Sequence, residues 1–311
     1  MNFLKNKKIL LFISMFLVFN LVLVGCGGGT ATEDENGEEQ VAAGEITIGT
    51  KDFTESILLA NIFKVLIEEK TDLQVNVTEL GGTMVAFEAL RNDDIQMYPE
   101  YTGTGYITIL GHEEILSPDE TYEIVKTEFM DQWDLEWLGE LGFNNTYTLA
   151  LRQDRLDELG ISTFSELNEI AGELSLGATM EFVERQDGLP GLQAAYGFEF
   201  GDVVDLDAGL MYTAVREGQV DVITAFATDG RIPAYELGIL EDDLNFFPPY
   251  FAAPLVRADA LEQYPELADV LAELEGQIDD ETMAELNFQV DEAALREETV
   301  ARDFLQSIGL I

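Results

Sequence analysis

Apolar residues recur along this chain with two different periods. Over residues 46–49 and 73–77 they alternate with polar ones, the two-residue repeat of a half-buried strand. Over 54–69 the spacing changes: Ile57, Leu58, Ile62, Val65 and Leu66 recur as they would on a helix, and Thr54 is placed to cap it. The turn Gly81-Gly82-Thr83 opens a second helix that runs to about Leu90, and 94–98 reads as a third strand. Strand, helix, strand, helix, strand predicts a mostly parallel sheet. A helix over 118–133 and extended segments at 136–141 and 146–151 follow, the last two separated by Gly142-Phe143-Asn144-Asn145. A second α/β pattern begins there: helix 163–173, strand 174–178, helices 189–196 and 208–217, strand 220–226. The chain closes with an extended stretch at 253–256 and acidic helices at 265–277 and 292–307.

This order predicts an α/β protein of two lobes joined by two extended crossings. Lobe I comprises 45–143 plus 251–311 and lobe II comprises 144–250. A cleft between lobes is a favoured place for a small-molecule site.

The first residues do not belong to that pattern. Lys5, Lys7 and Lys8 precede an apolar run over 9–24, and Leu23-Val24-Gly25-Cys26 has the form of a bacterial lipoprotein cleavage site. Residues 1–26 therefore read as a signal peptide ending at a lipidated Cys26; the apolar run is short for a membrane-spanning helix. Residues 27–44 are Gly, Thr, Glu and Asp with almost no apolar content, a disordered acidic tether. The folded part is thus expected outside the cell membrane, anchored to it by lipid.

Charge narrows the function classes. With 16 basic and 61 acidic residues the formal net charge is −45, which repels nucleic acid. Such acidity suits a solvated surface adapted to salt. Cys26 is the only cysteine and His112 the only histidine. A zinc site, an intramolecular disulfide and a serine–histidine triad therefore lack their parts. The Gly-rich turns carry no phosphate-binding fingerprint and no calcium-loop spacing occurs. Neither an enzyme nor a cofactor or metal site is expected.

What remains is a set of aromatic residues at turns: Tyr101, Tyr147, Phe226 and Tyr250. Rings gathered around a cavity attract a quaternary ammonium through their negative faces, each contributing about 0.5–2 kcal/mol. Two basic residues sit in comparable loops. Lys51 follows the first strand, and Arg185 follows the strand at 174–178, where a guanidinium fork could hold a carboxylate. For each, the competing reading is a salt bridge to one of the many acids.

The motifs Gly49-Thr-Lys-Asp-Phe-Thr-Glu55, Gly81-Gly82-Thr83, Tyr98-Pro-Glu-Tyr-Thr-Gly-Thr104, Asn144-Asn-Thr-Tyr147, Thr228-Asp-Gly-Arg231 and Phe247-Pro-Pro-Tyr250 together give a resemblance. Over 45–311 the chain resembles the substrate-binding lipoproteins of ABC importers for glycine betaine and related osmoprotectants. The resemblance implies a two-lobed periplasmic-binding-protein fold, type II-like, that closes on its ligand and delivers it to a permease and its ATPase. It implies a cage of Tyr101, Tyr147, Phe226 and Tyr250 around a trimethylammonium group. It places Lys51, Thr104 and Arg185 on the ligand carboxylate and Asn145 beside the cage. Phe226 stands where the family more often has Tyr, and Asn145 where relatives often have an acid. The retained basic pair favours a carboxylated ligand such as glycine betaine, proline betaine or carnitine. The alternative is a choline or amino-acid receptor of the same fold, without a betaine cage.

Overall fold

The computed structural model describes residues 44–311. The leader, the expected lipidation site Cys26 and all but the last residue of the acidic tether lie outside the described residues. The described chain runs β1 (Glu45–Lys51), α1 (Thr54–Lys70), β2 (Gln74–Gly81), α2 (Thr83–Arg91), β3 (Met97–Tyr101), α3 (Pro118–Trp133) and β4 (Leu135–Trp137). It continues through β5 (Tyr147–Arg152), α4 (Gln153–Leu159), β6 (Ser175–Ala178), α5 (Met180–Glu184), α6 (Leu189–Tyr196), β7 (Asp202–Asp205), α7 (Ala208–Arg216), β8 (Val222–Phe226), α8 (Arg231–Ala234) and β9 (Leu237–Ile239). It ends with β10 (Ala252–Arg257), α9 (Ala258–Gln263), α10 (Glu266–Ala272), α11 (Asp280–Asp291) and α12 (Glu297–Ser307).

These elements build a two-lobed α/β fold on two five-stranded sheets, ordered β2-β1-β3-β10-β4 and β7-β6-β8-β5-β9. The sheets are mixed, where a mostly parallel one was expected. In the first, β1 runs parallel to β2 and β3, but β10 is antiparallel to both β3 and β4. In the second, β6 is parallel to β7 and β8, while β5 is antiparallel to β8 and β9. The antiparallel strands β5 and β10 are those that follow the crossings, so each enters its sheet against the direction of the βαβ units. The crossings touch. Asn144 and Phe251 form a bridge, the Asn145 amide donates to the Tyr250 carbonyl (3.0 Å), and the Tyr250 amide donates to Asn144 Oδ1 (2.7 Å).

Helix α1 is the centre of the first lobe's core. Leu58, Leu59, Ile62, Phe63 and Leu66 are fully buried, and α10, α11 and α12 pack on it. Full burial of one such side chain contributes about 1.5–3 kcal/mol. The helix over 118–133 has the expected bounds, with a Ser117–Glu120 capping box that the sequence spacing permits.

Other expectations shift. Thr54 does not cap α1: Phe53 occupies the cap position, and the Thr54 hydroxyl donates to Asp291 Oδ1 at 2.6 Å. Strand β3 begins at Met97 and not 94, because Asp93 takes a left-handed backbone (φ 64°) and ends the preceding turn. The helix expected over 163–173 is two tight turns, Ser165–Glu169 and Ala171–Glu173. Its buried Phe164 and Leu167 are three residues apart, which a three-residue helical repeat stacks directly. The stretch 265–277 stops as a helix at Ala272, and α11, unseen in the sequence, starts under an Asp279 cap.

Candidate functional site

A cavity of about 580 Å³ lies between the two sheets. Lys51, Tyr101 and Phe226 reach it from the carboxyl ends of β1, β3 and β8, and Tyr147 from the start of β5. Thr104, which begins the helical turn Thr104–Ile109 after β3, also lines it, as do Arg185 at the end of α5 and Asn145 and Tyr250 on the crossings. All eight residues singled out for ligand contact therefore share one cavity. A wider crevice of about 1070 Å³, bounded by Gly230, α11 and α12, shares no lining residue with it.

The rings form a chain across the cavity. Tyr147 lies 5.0 Å from Phe226 and 5.6 Å from Tyr250, the latter edge-on at 87°. Phe53 stacks on Phe226 at 5.6 Å and 15° and lies 6.2 Å from Tyr101. Phe53, a fifth ring that sequence reasoning missed, thus links Tyr101 to the other three. These separations are those of favourable aromatic pairs. A close backbone approach sets Tyr250: a Cβ on Gly103 would meet the Pro249 carbonyl at 2.7 Å and Tyr250 Cδ1 at 2.8 Å. Glycine at 103 lets that ring reach the cavity wall.

Neither basic residue is bare. The Lys51 ammonium, 3% exposed, donates to Glu100 Oε1 at 2.6 Å and lies 5.3 Å from the Tyr101 ring centroid. Glu100 also accepts from the Tyr98 hydroxyl and the Tyr101 amide. Arg185 grips Asp187 through Nε (2.8 Å) and Nη2, with Glu181 at 3.2 Å and the Thr104 hydroxyl at 3.3 Å. Both cations are ion-paired within the protein, the salt bridges that the abundance of acids had left open for each. Burial opposes the Arg185 charge, but Tyr147 and Asp187 outweigh it and hold its pKa well above the ordinary value. Burial likewise works against the Asp187 carboxylate, and its hydrogen bonds from Arg185 and Tyr250 hold it below the usual range.

Two of the three cage tyrosines give their hydroxyls to carboxylates. Tyr250 donates to Asp187 Oδ2 at 2.6 Å and Tyr101 to Glu55 Oε1 at 2.8 Å. Glu55 is a second missed residue. It is 3% exposed and accepts hydrogen bonds from Tyr101, Asn145 (2.7 Å), Thr228 (2.6 Å) and Asn287 (2.9 Å). Burial pushes its carboxyl up, against the four donors that pull it down. Asn145, expected beside the cage, gives its amide N–H to Glu55 and keeps a buried Oδ1 without a partner. Around the cavity also stand Asp52, Glu79, Glu181, Asp205 and Asp207. The site as a whole is rich in negative charge with two internally balanced cations. It suits a small ligand that carries a cation.

Residues 44–307 match the family described as the substrate-binding domain of ABC-type glycine betaine transport systems. The carnitine transport binding protein OpuCC of Listeria monocytogenes is 36% identical over 308 residues, covering 97% of each chain. A glycine-betaine-binding protein of Pseudomonas aeruginosa is 34% identical, covering 86% of this chain and 88% of that one. A crystal structure described as a glycine betaine/carnitine/choline ABC transporter superposes with a TM-score of 0.71 at 30% identity, covering 85% of this chain and 99% of that one. The lactococcal OpuAC closed on glycine betaine shares the fold, with a TM-score of 0.62 at 12% identity. This chain belongs to the family of substrate-binding domains of ABC-type glycine betaine transport systems.

Proposed function

We propose that this protein captures a carboxylated quaternary amine, such as glycine betaine or carnitine, and hands it to an ABC import permease. The observation that carries the reading is the shared cavity: Tyr101, Tyr147, Phe226 and Tyr250 line it together with Lys51, Thr104 and Arg185. A trimethylammonium group cannot donate N–H hydrogen bonds, so ring faces and apolar contact are its means of recognition. The carboxylate meets the basic pair without stripping its partners. An ammonium has three donors and Glu100 takes one from Lys51, leaving others for the ligand. Thr104 orients the same end of the ligand and Asn145 borders the cage.

Substrate-binding proteins of ABC importers work outside the cytoplasm. Here a signal peptide over 1–26 directs export, and a lipid on Cys26 with the tether over 27–44 holds the binding lobes at the membrane. Lobe I is 45–143 plus 251–311 and lobe II is 144–250, a division supported by the membership of the two sheets. Hinge motion at the paired crossings closes them on the ligand.

A second reading follows from the pairing of Lys51 with Glu100 and of Arg185 with Asp187. With both cations neutralised, a ligand lacking a carboxylate, such as choline, meets no unpaired positive charge. Calorimetric titration with glycine betaine, carnitine and choline separates the two. Tighter binding of the zwitterions supports the first, tighter choline binding replaces it with the second, and no binding of any of the three removes both.

A further inference from the structure

Glu55 is a buried carboxyl with no cationic partner among the described residues. The basic side chains nearest Glu55 are committed elsewhere: Lys51 to Glu100, Arg185 to Asp187 and Glu181, and Arg231, which borders the same side chamber, to Asp229 and Asp291. Among the described residues no basic side chain lies within 4.0 Å of the Glu55 carboxylate; its four partners are the neutral groups of Tyr101, Asn145, Thr228 and Asn287. A carboxylate has about four lone-pair sites, and four donors fill them, which supports the ionised form against the burial that opposes it. A buried carboxylate without a cation is costly and calls for a positive partner.

The geometry points to that partner. Resting on the quaternary-amine reading above, we propose that Glu55 is the residue that makes the cage selective for a cation. It does so from behind the rings and without touching ligand: Tyr101 and Asn145, which line the main cavity, both hydrogen-bond to it, whereas Glu55 borders only a side chamber of about 150 Å³. A phenol that donates its proton to a carboxylate is electron-rich, so the Tyr101 ring face becomes more negative. The anion itself acts through a water-poor wall, where Coulomb attraction is strong. Asn145 is neutral but is hydrogen-bonded to the acid. The tyrosine on the other side, Tyr250, also donates to a carboxylate, but Asp187 is neutralised by Arg185, so that pair lacks the same uncompensated charge.

A merely structural Glu55 would staple the lobes together, since its partners come from β3, a crossing, the turn after β8, and α11. The two roles part company when charge is varied at constant shape. Choline and 3,3-dimethylbutan-1-ol have the same outline, with a cationic nitrogen replaced by carbon. Titrating both into the wild type, Glu55→Gln and Tyr101→Phe measures the preference for the charge. In Glu55→Gln, choline affinity is expected to fall about tenfold or more relative to the alcohol. Tyr101→Phe leaves the acid with three donors and is expected to shift the same ratio about threefold, and it decides the matter if Glu55→Gln does not fold. Equal losses for both ligands, or an unchanged ratio, overturn the proposal and leave Glu55 a staple. If the wild type binds no quaternary amine at all, the functional reading fails first and takes this with it.

Discussion

The ring of Tyr250 lies against the backbone of Gly103, so near that a methyl group there would sit 2.8 Å from its Cδ1. Gly103 itself has ordinary right-handed helical angles (φ −62°, ψ −37°), so alanine is barred by the neighbour and not by backbone conformation. Gly103→Ala is expected to cost about 1–3 kcal/mol through overpacking and to weaken ligand binding by displacing the ring. The same methyl would also meet the Pro249 carbonyl at 2.7 Å, and Tyr250 is itself buried, so truncating Tyr250 is not expected to restore the loss. Thermal unfolding of Gly103→Ala and calorimetry of its ligand binding check this; a melting temperature and an affinity equal to wild type would show that both neighbours give way.

Tyr147 touches Phe226, Tyr250, Phe182 and Phe247, the most ring contacts of any residue of the cage. Tyr147→Leu keeps an apolar side chain and deletes the ring face. An ammonium ligand should lose about 1–2 kcal/mol, roughly tenfold or somewhat more in affinity. Calorimetry reads the change, and an unaltered dissociation constant would mean the cation sits elsewhere.

At the start of α8, Arg231 pairs with Asp229 at 2.9 Å through Nε and with Asp291 at 3.3 Å, above the Tyr212 ring at 4.1 Å. All three charges are largely buried. Arg231→Met strands two acids and is expected to destabilise the protein by about 3–5 kcal/mol. Denaturant unfolding measures it. Asp291→Asn, which leaves Arg231 its Asp229 partner, should cost distinctly less.

A pH effect follows from Glu140. Burial first, then the nearby Asp119 and Glu275, push its carboxyl from 4.5 up to about 7. A carboxyl raised in the folded state favours folding when protonated. Its contribution is full below pH 4.5 and is lost as pH rises through about 7. The group is half-buried, so solvent screening reduces the effect to on the order of 1 kcal/mol. Glu140→Gln should raise the melting temperature at pH 8 and leave it nearly unchanged at pH 5. Equal stabilisation at both would assign the gain to something other than titration.

The sequence made the cavity legible because its residues sit at strand ends, where turns interrupt the apolar periodicity and an aromatic stands out. Lys51 was visible as a rare lysine in a loop. Phe53 and Glu55, two and four residues on, were not, because a ring and an acid at the start of an apolar helix read as packing and as ordinary helix-end charge. One signal was available: Glu55 lies on the face of α1 that continues with Leu58, Leu59 and Ile62, all fully buried, where an acid has no solvent. Asp187 was hidden among 61 acids. Its importance depends on Arg185 folding back two residues to meet it, which spacing alone does not reveal. Strands β7 and β9 were missed for the same reason as α11: each is short or polar, and only its neighbours make it regular.

The bridge between Asn144 and Phe251 has an architectural consequence. Everything from β5 to β9 departs and returns through adjacent backbone, so that whole sheet is joined to the first through one narrow pair of neighbouring segments. Exchanging it with the corresponding stretch of a relative would leave β1, β3, β10 and the Lys51 side of the cavity uncut. Chimeras made at this seam would graft a new half-site onto an intact scaffold.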